Sequence, residues 1–136
     1  MLTFRETTNT VFQALKTNAE YLQVPADSIQ KGTLFDTPAS APFIILFAEL
    51  SDKFEAVLDN GELIEPMLFT VGCAGSPASS QPDTHANTVE LSERIRKIVF
   101  GTLGDSVMDF KTREDAIFLD STSIIIDFVT HYKPSV

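Results

Sequence analysis

The chain has 136 residues, 43% of them hydrophobic, and 19 acidic against 10 basic residues, which gives a net charge of -9. A surface of this sign repels phosphate backbones and anionic headgroups, so we expect neither sequence-specific nucleic-acid binding nor membrane binding. Size and composition predict one domain, residues 1–136, and the single cysteine, Cys73, excludes an intrachain disulfide or a cysteine-rich zinc site. The longest apolar run, Ala41–Ala48, falls short of the roughly 20 residues of a spanning helix, and no secretory signal pattern follows Met1, so we expect a soluble protein made in the cytoplasm.

The first half of the chain predicts a helix, a connector and a strand. Apolar residues recur at helical spacing from Phe4 to Leu22, and Pro25 should end that helix. The segment Ala26–Ala41 is rich in turn-forming residues and leaves room for a short strand at Thr33–Phe35. Phe43–Ala48 is apolar on both alternating faces, which predicts a strand covered from both sides at the centre of a sheet.

A β-hairpin is predicted next. Lys53–Leu58 alternates between apolar and polar residues, and Asn60-Gly61 suits a type I′ turn because both positions of that turn need positive φ. This turn places Leu58 opposite Leu63. Pro66 lacks a backbone donor, which limits that side of the strand to an edge or a bulge.

A second apolar strand, Met67–Ala74, leads through the small and polar loop Gly75–Asn87 into a second amphipathic helix. The helical stripe runs from Thr84 to Val99, with Asp83 as the predicted N-cap and Gly101 as the predicted C-terminal glycine.

Three further strands are predicted at Val107–Lys111, Ala116–Asp120 and Ser123–Tyr132. Because strands outnumber helices and several are joined by short turns, the sequence predicts an α+β fold: a mixed, mainly antiparallel β-sheet packed against two amphipathic helices.

The junction between strand and helix carries no recognisable catalytic motif. Gly72–Ser76 contains two glycines, but no Gly-Lys-Ser/Thr follows, so a phosphate-binding loop is disfavoured. Cys73 lies in an apolar strand, where a cysteine behaves as a small hydrophobe and not as a nucleophile.

Two groups of residues could in principle bind a metal, although neither has a recognised metal-binding spacing. The simpler interpretation is a capping Asp, a solvated His and a surface Glu for the first group, and an exposed polar sheet face for the second. We therefore predict no catalytic, cofactor or metal site. The groups are Asp83, His85 and Glu90, and Asp120, Asp127 and His131.

The layout of the chain resembles that of the phage tail terminator, or tail completion, proteins. The resemblance lies in the order and hydrophobic pattern of the elements and covers most of the chain. The segments that carry it are FRETTNTVFQALKTNAEYL, PFIILFAEL, DKFEAVLDNGELIEPMLFTVGCAGS, HANTVELSERIRKIVFG and SIIIDFVTHY.

This resemblance implies a non-enzymatic subunit of the virion that forms a ring homo-oligomer, with a hexamer as the expected size. Such a ring stops polymerisation of the tail tube, so the tail-tube protein and the head-connector protein are the implied partners. The implied location is the head–tail interface of the virion, after assembly in the host cytoplasm. DNA would pass through the ring, and a negative lumen would not retain it. The simpler interpretation of the acidic excess is a solvated surface.

Two segments are the predicted subunit contacts, because an exposed ladder can be extended by a neighbour and a polar loop can become ordered on assembly. They are the hairpin residues Lys53, Glu55, Val57, Asp59, Asn60 and Gly61, and the loop residues Ser76, Pro77, Ser79 and Ser80. The alternative function is a small cytoplasmic enzyme or ligand-binding module whose site is assembled from dispersed residues. Such a protein should contain a deep polar pocket with perturbed titrating groups.

Overall fold

The computed structural model describes residues 2–32, 40–115 and 123–134, and within them it contains helices and a mostly antiparallel six-stranded sheet. The predicted α+β class with a mixed sheet is confirmed. The elements are α1 (Phe4–Thr17), α2 (Ala19–Leu22), β1 (Ile29–Lys31), β2 (Phe43–Leu50), β3 (Val57–Asp59), β4 (Glu62–Ala74), α3 (Gln81–Leu103), β5 (Val107–Asp115) and β6 (Ser123–Tyr132), with short 3-10 turns at Ala26–Ser28 and Gly104–Ser106.

The predicted first helix is confirmed in position and is interrupted once. Thr3 and Glu6 form a capping box at its start, in which each side chain accepts a hydrogen bond from the other residue's backbone N–H. The Asn18 side-chain amide donates to the Ala14 carbonyl at 2.7 Å and ends α1, because Asn competes with helical backbone bonds. The chain resumes as α2 and stops at Gln23, whose φ of 58° is left-handed.

The sheet order is β1-β2-β4-β6-β5, with β3 paired to β4 as well. Only β1 and β2 run parallel, whereas the other pairs are antiparallel. The expectation that Phe43–Ala48 forms the centre of the sheet is therefore wrong, because β4 occupies the middle and β2 is flanked by the three-residue β1. Both runs are equally apolar, so their pattern could not rank them. The strand predicted at Thr33–Phe35 falls outside the described residues.

The helices pack on one face of the sheet and form the main core. Residues two apart along β2, β4 and β6 face α1 and α3, as the alternation of strand side chains requires. The fully buried residues of this core include Leu15, Ile44, Leu46, Met67, Phe69, Ile95, Ile126 and Phe128. On the opposite face, Phe43, Ile45, Ala74 and Ile125 form a second buried cluster, which confirms that β2 is covered from both sides.

The second helix is longer than predicted at both ends. Ser80, and not Asp83, is the N-cap: its hydroxyl accepts a hydrogen bond from the Asp83 N–H at 3.4 Å. Gly101 lies inside α3, and the helix ends at Gly104, whose φ of 57° suits glycine. The two errors have similar causes: Ser80 and Asp83 both suit an N-cap, and Gly101 and Gly104 both suit a helix C-terminus, so the residue type alone does not choose between positions three apart.

The last two described strands form a hairpin-like pair. β5 was predicted at Val107–Lys111 and extends to Asp115, with an irregularity between Val107 and Asp109. The prediction for Ser123–Tyr132 is confirmed as β6. The strand predicted at Ala116–Asp120 lies outside the described residues.

Replacement of a core residue of α1 should destabilise the protein. Leu15→Ala should lower the free energy of unfolding by about 2–5 kcal/mol, because Leu15 is fully buried in the helix–sheet core. Gln13→Ala on the exposed side of α1 is the control and should change it by less than about 0.5 kcal/mol. Chemical denaturation of both variants measures the difference, and equal stabilities would show that α1 does not pack as described.

Candidate functional site

The hairpin predicted at Asn60-Gly61 forms a type I′ turn. Asn60 and Gly61 have φ values of 52° and 82°, and Leu58 pairs with Leu63 as expected. The strand predicted at Lys53–Leu58 is wrong in extent, because β3 comprises only Val57–Asp59. The preceding residues leave the ladder, so Lys53 and Glu55 lie in a bend and not on a strand.

Pro66 lies in β4 at the point where the end of β2 leaves the ladder. The Ser51 N–H donates to the Pro66 carbonyl at 3.3 Å, at the end of β2. In a strand, the N and the carbonyl of one residue point to the same side, so the missing donor of Pro66 faces the gap between β2 and β3. Pro66 thus sits inside a central strand without leaving a neighbour unpaired, and the hairpin β3–β4 extends from the sheet as a projection.

The base of this projection is fixed by the end of β6. Tyr132 pairs with Glu65 across the ladder, and its hydroxyl donates to Glu65 Oε2 at 2.6 Å. Burial, together with the adjacent Glu65 carboxylate, raises the pKa of Tyr132 to about 12, so the hydroxyl stays a donor at neutral pH. Lys133 Nζ lies 3.2 Å from Glu62 Oε1. These contacts fix the direction in which the hairpin leaves the sheet.

Apolar side chains on the projection are exposed. Leu58 is 74% and Leu63 48% exposed, and Val57 and Leu50 are exposed as well. Leu58 and Leu63 lie opposite each other on the helix side of the sheet, so they form a continuous apolar surface. Clustered exposed apolar residues on a fixed projection are typical of an interaction surface.

The predicted loop contacts lie elsewhere. Ser76, Pro77 and Ser79 are exposed, and Ser80 caps α3. Because Ser76 follows the last residue of β4 and the hairpin turn precedes the first, the two predicted contact segments are separated by about 40 Å of strand. The structure therefore does not bring them together.

The loop backbone is also tied to α3. The Asn87 side-chain amide donates to the Ser76 carbonyl at 2.9 Å, and the Ala78 N–H donates to the Thr84 hydroxyl at 2.9 Å. Gly75 donates to the Thr88 hydroxyl at 3.1 Å. These hydrogen bonds hold the loop backbone against α3, while the loop side chains stay exposed.

The residues considered for chemistry are placed in separate structural roles. Cys73 is buried in the core, where burial raises its pKa to about 12. His85 Nε2 lies 2.6 Å from Glu114 Oε1, and Glu90 Oε1 lies 2.7 Å from Arg94. In the part of the chain that the structure describes, no three His, Cys, Asp or Glu side chains come together as a metal site. Asp120 lies outside that part.

Asp127 corrects the expectation of an exposed polar face on β6. Its carboxylate is buried, accepts a hydrogen bond from the Thr70 hydroxyl at 2.9 Å and lies 3.8 Å from Arg113 Nε. The bend that contains Phe54 lines the same cavity as Asp127 and covers this side of the sheet. Alternation of side chains along β6 could not reveal that cover, because it comes from a distant segment. His131 is half-buried.

The cavities among the described residues include two small ones. One of ≈ 140 Å³ lies between the bend at Ser51–Phe54 and β5, and one of ≈ 80 Å³ lies between Leu22, Gly75 and α3. Sites for small organic ligands usually measure about 300–1,000 Å³, so both are below that range.

Sequence reasoning did not identify the outer edge of β5 as a candidate surface. In the described residues β5 pairs only with β6, and Met108 and Phe110 are 43% and 41% exposed. The Arg96 guanidinium lies 5.8 Å from the centre of the Phe110 ring, which also contacts Phe100 and Phe128. The available signal was the concentration of four basic residues between 96 and 113: Arg96, Lys97, Lys111 and Arg113.

No protein-family model matches this chain, and no curated protein matches it significantly. Among the described helices, none is both long and apolar enough to cross a membrane.

Two glycine replacements test the clamp between the loop and α3. A Cβ on Gly75 would lie 2.6 Å from the Asn87 carbonyl carbon, whereas one on Gly101 would meet nothing within 4 Å. Gly75→Ala should therefore destabilise the protein by about 1–3 kcal/mol. Gly101→Ala should stabilise it by about 0.5–1 kcal/mol, because Gly101 lies inside a helix. Thermal unfolding measures both, and a Gly75→Ala protein as stable as the parent would show that the clamp is absent.

Burial of Cys73 should make its thiol unreactive in the native protein. A thiol-specific reagent should label the native protein at the rate at which it unfolds and label it at once in denaturant, because the reactive thiolate is disfavoured in the core. Rapid labelling without denaturant, at the rate of a small free thiol, would contradict the described position.

Proposed function

We propose that this protein is a structural subunit of a phage virion that assembles into a ring, closes the tail tube and joins it to the head connector. The observation that carries the proposal is the β3–β4 hairpin, which projects from a well-packed domain with exposed leucines. A side chain such as Leu58, exposed on a rigid projection, is stabilised when another protein surface covers it.

The arrangement of the domain supports a subunit that has contacts on two sides. The hairpin lies on one side of β4 and the outer edge of β5 on the other. A subunit that joins two different surfaces head to tail forms a closed ring when the rotation between neighbours closes. The expected product is a hexamer, as the resemblance to tail terminators implies.

The charge of the chain supports the same role. A net charge of -9 disfavours retention of DNA, which suits a ring through which DNA passes. The partners in this proposal are the tail-tube protein and the head-connector protein. The protein would act at the head–tail interface after assembly in the host cytoplasm.

The small cavities give little support to the alternative function of an enzyme or ligand-binding module. The larger of these two cavities holds ≈ 140 Å³ and is lined by Asp127, whose carboxylate already accepts a hydrogen bond from Thr70. A catalytic carboxylate would need an oxygen within hydrogen-bond reach of the substrate proton that it abstracts.

The proposal predicts rings that bind the end of a tail tube. Light scattering after size exclusion should show a hexamer, electron microscopy should show rings, and addition of these rings should stop polymerisation of the tail-tube protein. A chain that never caps the tube, at any concentration, would contradict the proposed function. Turnover of a small substrate in a closed pocket would contradict it also.

Reversal of charge in the bend before β3 should impair this assembly more than folding. Glu55→Lys alters an exposed residue beside the projection, so thermal stability should stay near that of the parent while the ring fraction falls. Glu20→Lys, an exposed reversal on α2, is the matched control and should assemble normally. Normal ring formation by Glu55→Lys would remove the bend from the contact surface.

A further inference from the structure

The hairpin and the outer edge of β5 are complementary in both apolarity and charge. The hairpin surface is defined by Val57–Leu63, and the β5 surface by Met108–Lys111. Between Asp52 and Glu65 the chain carries five acidic residues and one basic residue, whereas the β5 surface carries one of each, Asp109 and Lys111, and the Arg96 guanidinium lies over Phe110. A strongly acidic chain repels its own copies, so the basic residues near β5 mark the surface on which an acidic hairpin is best tolerated.

The two surfaces also match face by face. Register along β4 places Leu58 and Leu63 on the helix side of the sheet and Asp59 and Glu62 on the other side. Register between β5 and β6 places Phe110 on the helix side, opposite Phe128, and Asp109 and Lys111 on the other side, opposite Val129 and Asp127. A neighbouring copy in the same orientation therefore aligns leucines with Phe110 and acidic side chains with Lys111.

Side chains, more than main-chain pairing, would supply this contact. β3 is only three residues long, and the Phe110 N–H already donates to the Asp109 carboxylate at 2.9 Å. Exposed apolar groups are present on both surfaces, led by Leu58 and Met108. Their burial supplies affinity, and the charges set the orientation.

We propose that the hairpin surface of one copy docks on the β5 surface of the next copy, with Leu58 and Leu63 against Met108 and Phe110, and Asp59 beside Lys111. This inference rests on the proposed function and names the two surfaces that form the ring. The contact is head to tail, because the hairpin surface and the β5 surface lie on opposite sides of β4.

Two single variants and their mixture test the inference. Leu58→Asp blocks the hairpin surface and Met108→Asp blocks the β5 surface, and both sites are exposed, so the fold should persist. Each variant alone should be monomeric, with the concentration for assembly raised at least about tenfold. Mixed together, they should form 1:1 dimers and no rings, since only the intact hairpin of one variant can meet the intact β5 surface of the other. Glu20→Lys is the control and should form rings.

Several results would overturn the inference. Dimers of Met108→Asp alone would indicate contact between two hairpins, and rings of Leu58→Asp would remove the hairpin from the interface. A mixture that stays monomeric, or a parent chain that never self-associates, would also overturn it. If the variants form rings like the parent and those rings still cap the tail tube, the inference fails while the proposed function stands.

A charge exchange provides a second measurement. Asp59→Lys and Lys111→Glu should each weaken assembly about tenfold or more, and the double variant should recover most of the loss, because the exchange restores opposite charges. Circular dichroism and thermal unfolding confirm folding of each protein. No recovery in a folded double variant would show that these side chains do not meet.

Discussion

Strand β4 is the element on which the rest of the structure depends, and Pro66 determines how it is used. On the C-terminal side of Pro66 the strand lies between β2 and β6 and supplies the centre of the core. On the N-terminal side it pairs with β3 alone on the edge where β2 has ended. Because Pro66 has no N–H on the side of this gap, the chain can bend away between Ser51 and Ala56 at no loss of a ladder bond. One continuous strand therefore forms both a rigid body and a projection.

The core fixes the direction of that projection. α1 and α3 cover the helix side of the sheet, and Tyr132 and Lys133 connect the end of β6 to the base of the hairpin. An apolar surface on a flexible hairpin would lose entropy on binding, whereas a hairpin fixed at its base loses less. The same sheet carries the hairpin and the outer edge of β5 on opposite sides, which is the arrangement that a head-to-tail assembly needs.

Local patterns in the sequence predicted the class of fold, both long helices, the apolar strands and the type I′ turn. Those features depend on periodicity and on turn chemistry, which the sequence shows directly. The order of strands could not be predicted, because Phe43–Ala48 and Met67–Ala74 are equally apolar. The burial of Asp127 depends on cover by a distant bend, and the β5 surface depends on contacts between Phe110 and α3. Tertiary packing determines both, and the sequence shows only the concentration of basic residues near β5.

In our proposal, copies of this chain meet through opposite sides of one sheet. Hydrogen exchange on the monomer and on the assembled protein, compared by mass spectrometry, tests it most directly. We expect assembly to slow exchange in peptides that contain Val57–Leu63 and Met108–Lys111, while exchange in peptides from α1 is unchanged. Protection confined to Ser76–Ser80, or to α1, would contradict it.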